Sequence, residues 1–425
     1  MIKRSFFGLV KPKLHYERIE EAPAEPIPVK ASAKIRLHIP RPGETIQAPL
    51  LKVGDPVKNG QKIALAETAE HYLLASKSGK ISNISPFVGI LGETFTAVTV
   101  DIDADTAQVM DDHFKSTSQM PSLEKARDLL AGLPGKPDFT VFFNTDHPVK
   151  TMVVLGADCD LLSTTRQYFV KNNIISIKTG IDFLRKITGI HDVILIVPQH
   201  LAQVAGSSGA TVKTVDTEYP SAHPSLIRQH VLSTETPDHG AGVAFFSAEA
   251  VAAIGAAFNT GKLPLDKLVS FISKDGTRRL VSVSIGTPLQ DILNEFNEKL
   301  EDGDQLIVGG PLRGISVYAT DYPVMPDTDT LIVQNKSQIA ESEGAACVNC
   351  GDCVRVCPSG IQVNLLVRYL EARQFQEGAD QYDLLSCIEC GFCSYVCESR
   401  IPIFQHIRLA KHTLERMKEA EEDNV

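Results

Sequence analysis

Two stretches near the C-terminus, CVNCGDCVRVCPSG at residues 347–360 and CIECGFCSYVCESR at residues 387–400, repeat one pattern. Each reads Cys-x2-Cys-x2-Cys-x3-Cys, and together they hold eight of the nine cysteines of the chain; Cys159 lies elsewhere. They differ after the fourth cysteine, where Pro358 stands in the first run and Glu398 in the second. Cysteines concentrated in one short interval of a 425-residue chain indicate metal binding rather than a disulfide framework.

The cysteine spacing predicts two [4Fe–4S] clusters. A spacing of two residues lets successive thiolates surround one cuboidal cluster, and in two-cluster ferredoxins the fourth cysteine of a run ligates the other cluster. We therefore assign the first cluster to Cys347, Cys350, Cys353 and Cys397, and the second to Cys387, Cys390, Cys393 and Cys357. Zinc is the alternative, but zinc sites use paired Cys-x2-Cys knuckles rather than four cysteines in series.

Glu398, the residue after the fourth cysteine of the second run, is expected to affect the reduction potential of the first cluster. Glu398 brings a carboxylate close to that cluster, and a nearby negative charge disfavours the reduced, more negative form. We therefore expect Glu398 to lower the reduction potential, unless Arg400 pairs with it and cancels the effect.

Composition and charge argue against several classes of protein. The formal net charge of −10 argues against a nucleic-acid partner. No apolar run approaches the ~20 residues that a transmembrane helix requires, and the N-terminus lacks the apolar core of a signal peptide. We therefore expect a cytoplasmic protein of several domains, without a transmembrane segment of its own.

The chain order of turns and periodicities predicts a multidomain α/β fold. Residues 1–30 form a proline-rich arm, and 31–110 show strand–turn–strand rhythm with turns at Gly54-Asp55 and Asn59-Gly60. Residues 111–137 are a linker with one helix. Apolar strands, including 139–145, then alternate with helices such as 159–172 across residues 138–268, which predicts a parallel sheet.

The rest of the chain divides into two further segments. Residues 269–335 begin as a hairpin around Asp275-Gly276 and continue into a helix capped by Thr287. Residues 336–425 hold the cysteine runs, with a helical insertion between them and a final amphipathic helix.

Several segments resemble known families. Residues 48–67 are similar to the barrel-sandwich domains of lipoyl and biotinyl carriers, although the hairpin that would carry the modified lysine has none. The whole chain resembles RnfC, the C subunit of the Rnf electron-transport complex. VVLGADCDLL (153–162) is similar to the family's NGAECEPYL, and GGPLRG (309–314) to GGPMMG. Residues 387–411 are close to the family's sequence except at Glu398. This implies a barrel-sandwich domain, a Rossmann-like domain related to the NADH-binding subunit of complex I, an SLBB β-grasp domain and a dicluster ferredoxin domain.

The resemblance also implies a flavin site, which the residues contradict. The family's glycine-rich loop, roughly GLGGAGFPT, corresponds to GLPGKPDFT at 132–140, where the paired glycines are missing. The segments YPSAHPSLI (219–227) and FSAEA (246–250) also depart from the family's YPxGGxxQL and NVxT. We therefore expect neither FMN nor NADH oxidation on this chain, and name no catalytic residue.

Remaining candidate residues have less specific signals. Cys159, flanked by Asp158 and Asp160, is interpreted as a quiet, half-buried thiol. The turn Gly309-Gly310-Pro311 with Arg313 is either an anion site or a simple tight turn, and His239 is a loop candidate.

Three functions stay open at this stage. The first is a peripheral subunit on the cytoplasmic face of an Rnf-type membrane complex, relaying electrons between its membrane subunits and ferredoxin or a multihaem cytochrome. The second is an NADH:ferredoxin oxidoreductase subunit with FMN in a remodelled pocket. The third is a non-catalytic docking platform.

Overall fold

The computed structural model of the chain describes residues 12, 25–31, 33–40, 51–65, 71–103, 109–111, 114, 122–232, 242–339 and 345–422. They fall into two compact units, one built on Ile19–Gly310 and Ile315–Lys336, the other on Pro311–Gly314 and Ser337–Val425. Within the described residues, no helix has the length and apolar character needed to cross a membrane.

The first β segment folds as an antiparallel sheet with a small hairpin. After strand β1 (Ile27–Val29), the sheet has the order β2-β7-β6-β3, and β4 pairs with β5. Alternate residues Ile35, Leu37 and Ile39 of β2 are fully buried, as expected for a strand with one face in a core. The strands are β2 Lys34–Pro40, β3 Pro56–Val57, β4 Lys62–Ala64, β5 Tyr72–Leu74, β6 Gly79–Val88 and β7 Thr94–Ile102. Residues 66–70, within the hairpin that lacks a lysine, lie outside the described residues.

A buried histidine in β2 makes this segment sensitive to acid. His38 is 1% exposed and stacks on Phe87 with ring centroids 4.1 Å apart. Burial, reinforced by the charge of Arg36, lowers the pKa of His38 from 6.5 to about 4. The unfolded chain therefore binds a proton at this site below pH 6.5 while the folded chain resists it until about pH 4.

We expect the segment to lose up to about 3 kcal/mol of stability as pH falls from 6.5 to 4, and to keep its full stability above that window. His38→Phe should flatten this part of the profile, since phenylalanine cannot be protonated. Urea unfolding followed by circular dichroism between pH 7.5 and 4.5 measures it, with the exposed His147→Gln as control. An unchanged slope in His38→Phe would contradict the assignment.

The α/β segment contains a four-stranded parallel sheet in the order β10-β9-β8-β11. Strands β8 (Val149–Leu155) and β9 (Val193–Pro198) are buried over almost their whole length, as the apolar runs predict. Its other elements are α1 Leu123–Leu130, α2 Thr165–Asn172, α3 Ile174–Thr188, α4 Ala202–Ala205, β10 Thr211–Val215, α5 Pro224–Ile227, β11 Gly242–Ser247 and α6 Ala248–Thr260.

Helices α3 and α6 pack so closely that glycine is required at the contact. A Cβ atom on Gly255 would lie 1.8 Å from the carbonyl oxygen of Ser176, and one on Gly180 would lie 2.1 Å from that of Val251. A larger residue at either position would force the helices apart, because backbone atoms cannot move aside as a flexible side chain can.

Three local predictions were wrong in this part of the chain. Residues 139–145 were predicted as a strand, but Thr140–Phe143 is a 3-10 helix. The side chain of Asp138 accepts from the backbone N–H of Thr140 at 2.8 Å, and this local bond favours a turn. The helix predicted over 159–172 begins only at Thr165, because Asp158 accepts from the backbone N–H of Arg166. The third concerns the helix predicted to be capped by Thr287, which starts at Leu289 with Pro288 as its N-cap.

A six-stranded mixed sheet follows, in the order β1-β13-β12-β16-β14-β15. Its hairpin turns at Asp275-Gly276 as predicted, with Gly276 at φ +81°. The N-terminal β1 adds to it in parallel with β13, pairing Ile27 with Val281. The elements are β12 Asp266–Ile272, β13 Arg278–Ser284, α7 Leu289–Glu295, β14 Gln305–Val308, β15 Ile315–Val317 and β16 Thr330–Gln334.

The cysteine-bearing unit is helical. Its core is apolar and includes Leu366, Val367, Ile403, Ile407 and Ala410. The helices are α8 Asp352–Val356, α9 Val363–Glu371, α10 Phe375–Tyr382, α11 Phe392–Tyr395 and α12 Ile403–Glu422. Helices α9 and α10 lie between the two cysteine runs.

Candidate metal centre

The two cysteine runs adopt the same backbone conformation. In each, a glycine follows the second cysteine in the left-handed region, Gly351 at φ +77° and Gly391 at φ +76°, and a short helix then carries the third cysteine. At Gly391 no other residue fits, since a Cβ would lie 2.4 Å from the carbonyl oxygen of Leu312. The sequence repeat is therefore a structural repeat.

Each run contributes cysteines to two separate cavities. Two cavities, here called cavity one and cavity two, lie within this unit. Cavity one is lined by three cysteines of the first run and one of the second: Cys347, Cys350, Cys353 and Cys397. Cavity two is lined by three cysteines of the second run and one of the first: Cys387, Cys390, Cys393 and Cys357.

The donor sets suit a metal cluster better than a single ion. Four thiols line each cavity, and thiolate is the ligand that iron–sulfur clusters take. A single zinc ion instead needs its ligands to converge to ≈ 2.3 Å from one point. Among the residues that the structure describes, no group of three or more cysteine, histidine or carboxylate side chains is arranged to hold a single metal ion.

Burial keeps the thiols of Cys353, Cys390 and Cys393 protonated when no metal is bound. Burial raises the pKa of Cys353 to about 12, and the neighbouring Cys350 and Cys397 add to the shift. In cavity two, burial raises the pKa of Cys390 to about 11 and also raises that of Cys393. Metal ligation requires thiolates, so filling these cavities must release protons.

The two cavities differ in their surroundings. Cavity two has a largely apolar lining that includes Ile361, Leu366, Phe404 and Ile407, and Glu389 also lines it. Cavity one is also lined by Val348, which is 68% exposed, by Asn364, and by the exposed Glu398. Because solvent exposure and nearby charge set cluster potentials, unequal potentials are expected for groups held in the two places.

Two cations that sequence reasoning missed hold the cysteine backbones. Arg355 Nη1 donates to the carbonyl oxygen of Cys350 at 3.2 Å. Lys411 Nζ donates to the carbonyl oxygen of Cys387 at 2.6 Å and to Glu389 Oε1 at 3.0 Å. Arg355 lies inside the first run and could have been proposed from its position, whereas Lys411 comes from α12 and had no local signal.

None of the other sequence candidates that the structure describes lines either cavity. The half-buried Cys159 donates to the carbonyl oxygen of Ala222 at 3.0 Å, and Arg166 Nη1 lies 2.6 Å from its sulfur. At the proposed anion site, the backbone N–H of Gly310 already donates to Asp160 Oδ2 at 3.1 Å, so a carboxylate of the chain itself is bound there. His239 lies outside the described residues.

Comparisons with known proteins agree with both ends of the chain. Residues 4–105 match the family described as RnfC Barrel sandwich hybrid domain, and residues 340–398 match the 4Fe-4S dicluster domain. The chain therefore contains a barrel-sandwich domain and an iron–sulfur domain, with mixed α/β structure between them.

Curated relatives match over nearly the full length. The C subunit of an ion-translocating oxidoreductase complex from Rhodobacter capsulatus is 26% identical, over 96% of this chain and 83% of the relative. The C subunit of a proton-translocating ferredoxin:NAD(+) oxidoreductase complex from Clostridium ljungdahlii is 26% identical, over 96% of this chain and 93% of the relative. The C subunit of a Na(+)-translocating ferredoxin:NAD(+) oxidoreductase complex from Acetobacterium woodii is 24% identical, over 88% of this chain and 89% of the relative.

Among solved structures, a chain of an NAD+-reducing [NiFe]-hydrogenase in the H2-reduced state is similar, with a TM-score of 0.39 and 10% identity. The match covers 67% of this chain and 59% of that one. A likeness at this level carries no argument about function.

Proposed function

Since this chain is a relative of RnfC, the C subunit of ion-translocating oxidoreductase complexes, we propose that it is the peripheral electron-transfer subunit of an Rnf-type membrane complex. It relays electrons through two [4Fe–4S] clusters between ferredoxin or a multihaem cytochrome and the membrane subunits, on the cytoplasmic face. The whole complex is the oxidoreductase and translocase, and this chain supplies no catalytic residue of its own.

The arrangement of the cysteines carries the proposal. Cavity one holds the four residues assigned to the first cluster, and cavity two holds the four assigned to the second. A [4Fe–4S] cluster supplies one-electron transfer when bound. The cysteines would ligate it, while Arg355 and Lys411 fix the backbone of a ligand in each cavity. Sharing cysteines between the runs keeps the two clusters close to each other.

Two features of the α/β segment support the proposal that the chain binds no flavin. The turn that replaces the family's glycine-rich loop packs against the first turn of α6: a Cβ on Gly135 would lie 2.5 Å from Ser247 Oγ and 2.7 Å from the Ala250 nitrogen. The N–H of Gly135 donates to the carbonyl oxygen of Pro326 at 2.7 Å, and the N–H of Ala250 donates to Ser247 Oγ at 3.1 Å. Donors that could bind a phosphate are thus used within the chain.

A buried ion cluster occupies the same region. Lys267, which is fully buried, is paired with Glu249 and lies 2.7 Å from Asp329 through its Nζ atom. Glu249 is in the first turn of α6, where the helix dipole would favour an anionic ligand. The chain's own carboxylate takes that place, and this supports a protein without FMN or NADH oxidation.

Anaerobic purification tests the proposal. We expect about eight iron atoms per chain and no flavin, and we expect NADH to leave the cluster absorbance unchanged. Iron and acid-labile sulfide are measured chemically, and flavin by fluorescence of the acid extract. The Cys390→Ser variant serves as control, since it should lose about half of the iron.

Two results would change the assignment. Stoichiometric FMN together with bleaching of the clusters by NADH would favour the NADH:ferredoxin oxidoreductase subunit. Full turnover of the complex with all eight cysteines replaced by serine would favour a docking platform.

A further inference from the structure

In both cysteine runs, the backbone makes the same turn immediately after the fourth cysteine. The N–H of Gly360 donates to the carbonyl oxygen of Cys357 at 3.3 Å, and the N–H of Arg400 donates to that of Cys397 at 3.1 Å. Gly360 and Arg400 both lie in the left-handed region, at φ +69° and +50°. One backbone turn is thus made by two different sequences.

Only the first sequence favours this turn. Pro358 restricts its own φ to one value, and Gly360 enters the left-handed region without steric cost. The second run has Glu398 and Arg400 at these positions. Arg400 carries a Cβ atom, which makes the left-handed conformation unfavourable unless the surrounding structure holds it.

The second exit has a side-chain contact that the first lacks. Ser399 is 9% exposed, and its Oγ atom donates to the carbonyl oxygen of Ala346 at 3.1 Å. Ala346 immediately precedes Cys347, so this bond joins the two ends of the cysteine set that lines cavity one. Within the described part of the chain, no hydrogen bond links Ser359 to Ser386, the corresponding pair beside cavity two.

We propose that Ser399 is a positioning residue for the first cluster, holding Cys397 against Cys347 where the second run has neither the proline nor the glycine of the first. The inference rests on the proposed assignment of these two cysteines to one cluster. The hydrogen bond from Ser399 to Ala346 stabilises a turn that the local sequence does not favour. It also connects this turn to the segment that carries Cys347, another residue that lines the same cavity.

The test compares Ser399→Ala with Ser359→Ala in the full-length chain loaded anaerobically. Iron release to a ferrous chelator is followed together with the electron paramagnetic resonance signals of the reduced protein. In Ser399→Ala we expect about half of the iron to leave roughly fivefold faster, with an altered signal from the first cluster only. Ser359→Ala should match the wild type, and Cys350→Ser, which lacks the first cluster, identifies the release phase of the second.

A rescue variant separates positioning from general loosening. Adding Arg400→Gly to Ser399→Ala should return iron release to within about twofold of the wild-type rate, because glycine makes the turn without the bond. If Ser399→Ala does not fold, Arg400→Gly alone still tests the idea, and it should slow release from the first cluster.

The outcomes distinguish this inference from the function it rests on. Normal loading with equal release rates in Ser399→Ala and Ser359→Ala, or faster release from both clusters, overturns the role of Ser399 alone. A wild-type chain that takes up no iron overturns the cluster assignment and this inference together.

Discussion

Replacing Cys397 by serine is expected to remove the first cluster, although Cys397 belongs to the second run. Iron should fall from about eight to about four atoms per chain, since this cluster would lose one of its four thiolate ligands and become labile. Cys357→Ser should mirror this result by removing the second cluster. Chemical iron determination and the resonance spectrum of the remaining cluster measure both, and Cys159→Ser, which lies outside both cavities, should leave the iron content unchanged.

A double variant decides whether the ligands cross between the runs. Cys350 and Cys397 line the same cavity, so Cys350→Ser combined with Cys397→Ser should keep about four iron atoms per chain. If each run instead held its own cluster, the same double variant would lose both clusters and nearly all iron. The two arrangements therefore differ by a whole cluster, which is well outside the error of iron analysis.

Replacing Lys267 by methionine is expected to destabilise the larger unit by about 3–5 kcal/mol, because the buried carboxylate of Glu249 and the half-buried carboxylate of Asp329 lose their shared cation. Lys267 Nζ also donates to the carbonyl oxygen of Leu268 at 3.2 Å, so the substitution removes a backbone contact as well. Chemical unfolding followed by circular dichroism at pH 7.5 measures the loss. The exposed pair of Lys136 and Asp327, 3.1 Å apart, provides the control, since Lys136→Met should cost less than about 1 kcal/mol.

The pH dependence of this variant identifies the carboxylate responsible. Burial raises the pKa of Glu249 to about 7, against the opposing charge of Lys267. With the folded-state pKa above that of the unfolded chain, protonation favours the folded state, and stability falls as pH rises through 7. Removing Lys267 should make stability fall more steeply with pH, so Lys267→Met should lose less stability relative to the wild type at pH 5.5 than at pH 7.5. Adding Glu249→Gln to this variant should restore part of the lost stability at pH 7.5. A deficit independent of pH and of Glu249→Gln would exclude this explanation.

The iron–sulfur character of the C-terminal domain could be predicted from the sequence because its signal lies within two short runs. The two-residue spacing within each run indicates that successive cysteines can ligate one metal cluster. The glycine after the second cysteine provides the left-handed turn found at Gly351 and Gly391. The parallel sheet was also predictable, since strands buried on both faces, such as β8 and β9, read as continuous apolar runs.

Interactions between distant residues could not be predicted in this way. Glu249, Lys267 and Asp329 lie in three separate parts of the sequence, and no short motif indicates that their side chains meet. The same holds for Ser399 and Ala346, which lie 53 residues apart in the sequence. The 3-10 helix at Thr140–Phe143 was missed for a local reason, because the β propensity of valine and phenylalanine hid the turn favoured by Asp138.

The crossed lining of the two cavities has a consequence for how the protein matures. During synthesis, Cys347, Cys350 and Cys353 leave the ribosome well before Cys397, the last member of their set. The second set likewise waits for Cys393, although Cys357 is made early. Under the proposed assignment neither cluster can be completed on a nascent chain until both runs have emerged, so iron loading becomes a late step. The duplicated halves are consequently interdependent: a chain interrupted between them would retain no complete site.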